Sequence, residues 1–144
     1  MPHLVILYTP NLERETDMGG LCRSLADTML AVTDEAGRPV FPAGGVRVLA
    51  YPAAHYAVAD GGAAGRAAGG TGDYGFVYLQ LRMGRGRSDA VKRQAGQALS
   101  DATREHFAAL LAQRHVGVTL QIDEGAEVFD AKHSSLHPLF AKSP

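Results

Sequence analysis

Asp73-Tyr74-Gly75-Phe76-Val77-Tyr78-Leu79-Gln80-Leu81-Arg82-Met83 alternates side chains such as Phe76 and Tyr78 in the manner of a β-strand. It runs straight into the turn Gly84-Arg85-Gly86-Arg87-Ser88. Ser88 is a suitable helix N-cap, because its hydroxyl can accept from an unpaired backbone N–H of the first turn. From about Asp89 to Arg114, Val91, Ala95, Leu99, Ala102, Ala109 and Leu110 recur at helical spacing, with Phe107 beside the stripe. Val116 to Ile122 (VGVTLQI) then reads as a further strand. A crossover of helix length lets the two strands run parallel.

The first half of the chain repeats this unit. Leu4 to Tyr8 (LVILY) is a short apolar run bounded by Pro10-Asn11, the pattern of a buried strand. A helix follows from about Asp17 to Thr33, with Asp17 as N-cap and Met18, Leu21, Leu25, Thr28, Met29 and Val32 on one face. Asp34 to Pro42 reads as turn, and Gly45 to Tyr51 (GVRVLAY) as the strand that closes the unit before Pro52. The expected architecture is an α+β fold in which tandem β-α-β repeats form a four-stranded mixed sheet with two helices on one face. As one domain, 1–144, it divides into a first unit (1–59), a glycine-rich loop (60–72, DGGAAGRAAGGTG), a second unit (73–124) and a C-terminal tail (125–144) with an apolar patch at Leu136, Leu139 and Phe140. The loop holds no apolar group larger than Ala and is expected to be flexible. The face of the sheet away from the helices is bare, which points to burial by self-association.

Composition removes several classes. Fourteen Lys and Arg against 15 Asp and Glu give a net charge of −1, so no overall basic field exists for nucleic acid or an anionic membrane. Arg82, Arg85, Arg87, Lys92 and Arg93 cluster locally, but without an aromatic stacking platform. Cys22 is the one cysteine, which excludes an intramolecular disulfide and a Cys-based zinc site. No apolar run reaches the length of a membrane span, and Met1-Pro2-His3-Leu4 lacks the basic start of a signal peptide; a cytoplasmic location is expected. The glycine loop has neither phosphate-cradle spacing, and His133 and His137 lack an obvious third metal ligand. His106 reads as a packed, hydrogen-bonded histidine and Cys22 as a small buried hydrophobe.

Two features carry chemistry. Pro2 is small enough to permit removal of Met1, which would leave a secondary amine at the start of a buried strand. An unperturbed α-amino group titrates at about 7.7–8.0, and burial lowers that value, so such an amine suits general-base work near neutral pH. On the residue alone, the plain alternative is a proline that merely follows the initiator. Arg47, in a strand, and Arg87, in a glycine-rich turn before a helix N-terminus, suit carboxylates through the planar guanidinium fork; solvated arginines are the alternative there.

In order along the chain, Met1-Pro2-His3, Ala43-Gly44-Gly45-Val46-Arg47, Asp73-Tyr74-Gly75-Phe76-Val77, Gly84-Arg85-Gly86-Arg87-Ser88, Arg93-Gln94-Ala95-Gly96 and His106-Phe107-Ala108-Ala109-Leu110 resemble the 5-carboxymethyl-2-hydroxymuconate Δ-isomerase family of the tautomerase superfamily. The resemblance covers nearly the whole chain. It implies a cofactor-free and metal-free isomerase of aromatic-compound breakdown, in the homoprotocatechuate pathway, acting as a homotrimer on an unsaturated polycarboxylate. It further implies that Pro2 is the catalytic acid and base, and that Arg47 and Arg87 bind carboxylates and stabilise the dienolate. Against the family pattern, the Asp60–Gly72 loop looks inserted and the Asp34–Val40 connection long. A carboxylate-binding or sensing trimer without turnover is the competing expectation.

Overall fold

A computed structural model describes residues 2–141. The sheet is four-stranded in the order β2-β1-β3-β4, with β1 His3–Tyr8, β2 Arg47–Pro52, β3 Gly75–Gly84 and β4 Val116–Gly125. β1 pairs parallel with β2, β3 pairs parallel with β4, and the two units join antiparallel through β1 and β3. The expected tandem β-α-β arrangement is therefore present.

The two long helices form where the sequence places caps. α1 spans Met18–Ala31, and the Asp17 carboxylate accepts from the Gly20 amide at 2.9 Å. Gly20 leaves room for that cap, since a Cβ there would lie 2.6 Å from the second Asp17 carboxylate oxygen and force the side chain to shift. α3 spans Asp89–Gln113, and the Ser88 hydroxyl accepts from the Val91 amide at 3.2 Å. Leu21, Leu25 and Met29 of α1, with Val91, Ala95, Leu99 and Phe107 of α3, pack on Leu4, Ile6, Leu79 and Leu81 of the two central strands. Each fully buried Val, Leu, Ile, Met or Phe side chain among these contributes about 1.5–3 kcal/mol.

Two details differ from expectation. Ala109 is exposed, and the α3 face instead centres on Phe107 with buried Thr103, whose hydroxyl donates back to the Leu99 carbonyl at 2.7 Å. The glycine-rich stretch contains a one-turn helix, α2 (Ala63–Ala67). Hydrogen bonding replaces apolar anchoring there: Asp60 accepts from the amides of Gly62 and Ala64, and the Tyr74 hydroxyl accepts from the Gly65 amide at 2.8 Å. The Asp34–Val40 connection is likewise ordered, with Asp34 accepting from the amides of Ala36 and Arg38 and the Val40 amide donating to Val32.

Candidate functional site

The topology brings distant segments to one end of the sheet. His3 at the start of β1 stands in register with Arg47 at the start of β2 and with Arg82 near the end of β3. Pro2, buried, immediately precedes this point; Met1 lies outside the described residues. β3 leaves the sheet at the same end, so the Gly84–Ser88 turn and Arg87 follow there.

Both arginines are held by backbone carbonyls. Arg47 donates through Nη1 to Gly44 O at 2.7 Å and to Val46 O at 3.2 Å. Arg87 donates through Nη1 to Gly84 O at 3.0 Å and through Nη2 to Val40 O at 2.9 Å. Its guanidinium carbon stands 5.7 Å from the centre of the buried Phe41 ring, a cation–π arrangement. Carbonyls orient a guanidinium without cancelling its charge. Among the described residues neither arginine has a carboxylate partner. Lys92 differs: it pairs with Asp89 at 3.0 Å and Glu124 at 3.1 Å, so the basic cluster seen in sequence is partly neutralised.

The two arginines line separate cavities within one chain. Arg87 borders a space of about 500 Å³ at the start of α3, with Arg38, Arg85, Asp34, Glu35 and Ser88. The Ser88 hydroxyl donates to Glu35 at 2.5 Å, and this bond holds the Glu35 carboxyl below its ordinary value. Arg47 borders a space of about 250 Å³ with His3, Asp130, Lys132, His133 and His137. His3 is pushed below its ordinary value by burial first, then by the positive charges of the amino terminus and Arg47.

Phe41, Asp130 and Lys132 carry no assignment in the sequence analysis, and His133 and His137 stand there only as a metal pair lacking a third ligand. Val40-Phe41 between Pro39 and Pro42 was the available signal for the first; the tail carries no signal for its docking place. Among the remaining candidates, His106 is half-buried, shares a 2.8 Å hydrogen bond with Thr16 and stands edge-on to Phe107. Cys22 is half-buried, and burial raises its thiol. Among the described residues, no group of three or more His, Cys, Asp or Glu is placed to hold a metal ion. No described helix is long and apolar enough to cross a membrane.

A four-stranded mixed sheet of paired β-α-β units with two long helices is a tautomerase-like fold, and the chain has it. Residues 2–140 match the description "5-carboxymethyl-2-hydroxymuconate isomerase", and the chain belongs to that family. A 5-carboxymethyl-2-hydroxymuconate Δ-isomerase of Escherichia coli is 29% identical over 140 residues, covering 97% of this chain and 99% of that protein. A crystal structure of a 5-carboxymethyl-2-hydroxymuconate Δ-isomerase superposes with a TM-score of 0.96 at 65% identity, over 100% of this chain and 95% of the other. A 5-carboxymethyl-2-hydroxymuconate isomerase from Deinococcus radiodurans R1 gives 0.80 at 36% identity, over 98% and 95%. The chain is an enzyme, an isomerase.

Proposed function

We propose that this isomerase acts on 5-carboxymethyl-2-hydroxymuconate or a closely related unsaturated 2-hydroxy polycarboxylate, as a cytoplasmic homotrimer in aromatic-compound degradation. The observation that carries the reading is the family match from residue 2 to residue 140, which begins at Pro2 itself. Once Met1 is removed, the Pro2 amine accepts the proton of the substrate's 2-hydroxyl group. The resulting dienolate spreads its negative charge along the conjugated chain. Protonated Pro2 then returns the proton to a carbon of that chain, leaving a 2-oxo product and a free amine ready for the next turnover. Arg47 and Arg87 hold substrate carboxylates and stabilise the dienolate, a role supported by their uncancelled charges and fixed orientation. Assembly through the exposed sheet face, where Leu7, Leu49 and Tyr51 are about half exposed, supports the trimer and gives a route to uniting the two arginine cavities across subunits.

The test is a spectrophotometric assay of protein whose intact mass shows loss of Met1. Rapid decay of the dienol absorbance, abolished in Pro2→Ala, is the expected result. Full activity in protein retaining Met1 would overturn the role of Pro2, because an amide nitrogen cannot take the proton. Absence of turnover by protein lacking Met1 would remove the substrate assignment.

A further inference from the structure

The open cavity beside Arg47 is bordered by the C-terminal tail as well as by the β-α-β repeats. Residues 130–137 supply Asp130, Lys132, His133 and His137 to its wall, facing His3 and Arg47 from the sheet. This seat is close-fitting. The tail's single 3-10 turn, His137–Phe140, lies over the Ala43–Gly45 turn that precedes Arg47. A Cβ on Gly44 would stand 3.2 Å from both the His137 Cα and a Phe140 ring carbon. The same Gly44 gives its carbonyl to Arg47, so one glycine positions both the guanidinium and the tail.

The charges in this space are arranged for exchange. The Lys132 ammonium is paired with Asp130, an ion pair of the tail with itself. His137 uses Nδ1 toward the Ser134 hydroxyl at 2.8 Å, which leaves Nε2 for another partner. Arg47 spends Nη1 on carbonyls and has donors to spare on Nη2 and Nε. One carboxylate, Asp130, thus stands among two permanent cations and three histidines. A substrate carboxylate entering here meets a lysine whose present counter-ion is a local, half-exposed aspartate that it can replace.

We propose that the C-terminal tail is a specificity element of the isomerase site: Lys132 and His137 bind, beside Arg47, one carboxylate arm of a polycarboxylate substrate, and Asp130 is the internal competitor that arm displaces. The inference rests on the isomerase reading above and adds the residues that select a substrate bearing the extra carboxylate. A merely structural tail predicts a different response. Removing Lys132 and removing Asp130 would then act in the same direction, by loosening the segment, whereas competition makes them act in opposite directions.

The experiment compares wild type with Lys132→Met, Lys132→Arg, His137→Gln, Asp130→Asn and Gly44→Ala. Substrates are 5-carboxymethyl-2-hydroxymuconate and 2-hydroxymuconate, which lacks the carboxymethyl arm. Calorimetric titration with propane-1,2,3-tricarboxylate serves as a readout independent of turnover. Lys132→Met and His137→Gln should raise KM for the three-carboxylate substrate about tenfold, the size of one charge-assisted contact, with kcat held within about twofold. Asp130→Asn should lower KM, Lys132→Arg should keep it, and Gly44→Ala should reduce discrimination between the two substrates without altering any charge. Unchanged KM in Lys132→Met and His137→Gln, or parallel losses in Lys132→Met and Asp130→Asn, would overturn the proposal while leaving the isomerase reading intact. If wild type turns over neither substrate yet binds the tricarboxylate in a Lys132-dependent way, the isomerase reading falls and the tail's binding role stands. Lack of both turnover and such binding overturns both.

Discussion

Arg114 and Arg87 show two ways of fixing an arginine at opposite ends of one sheet. Arg114, just before β4, donates to the Glu15 and Asp73 carboxylates and to the Asp73 carbonyl at 2.6 Å. Arg87, just after β3, is held by two carbonyls and an aromatic face. The first arrangement spends the charge on cross-links between the β1–α1 connection, the start of β3 and the end of α3. The second fixes the geometry and keeps the charge available to an anion. Arg47 follows the second pattern. An arginine whose charge is left available can therefore be told from a cross-linking one by what neutralises it, even when both are only half-buried.

Several measurements would break or sharpen that contrast. The largest effect is expected at the proposed base: Pro2→Ala should lower kcat by about 10²- to 10⁴-fold with the fold unchanged by circular dichroism. Next, Arg47→Ala or Arg87→Ala should lower kcat/KM by about 10- to 100-fold, the loss of one charged hydrogen-bonding partner. Arg87→Ala should additionally lower the melting temperature, because the carbonyls of Val40 and Gly84 lose their donor. Arg114→Ala should affect stability alone, costing about 1–3 kcal/mol in urea unfolding while leaving kcat/KM within about twofold; a catalytic loss as large as that of Arg87→Ala would erase the distinction.

The smallest effect concerns His106. Burial holds its pKa below the ordinary 6.5, with the charge of Asp17 opposing in part. A histidine depressed in the folded state favours folding in its neutral form, so its contribution is present above about pH 6.5 and is lost as pH falls through the unfolded and then the folded value. Wild type should therefore lose more stability than His106→Gln between pH 7.5 and 5, read as urea midpoints. Equal losses would remove His106 as the cause.

How much of this was legible in the sequence follows from how local each signal is. The strand and helix cores were readable because period-2 and period-3.6 patterns are local, and both helix starts were readable because Asp17 and Ser88 cap them through side chains three residues from their partners. The arginines were legible as residue types in a strand and a turn. Their separation into two cavities was not, because it depends on Val40, Phe41 and the tail, which reach Arg87 and Arg47 only after folding. The helix in the glycine-rich stretch was hidden for a similar reason: Tyr74, the anchor of the Gly65 amide, belongs by sequence to the strand that follows.

The position of β1 also bears on how this protein should be handled. Because β1 is an inner strand, bonded to β2 on one side and β3 on the other from His3 onward, anything fused ahead of Pro2 must leave the sheet between two neighbours at the rim of the active end. On the proposed reading, an uncleaved N-terminal tag would both turn the Pro2 amine into an amide and crowd the Arg47 cavity.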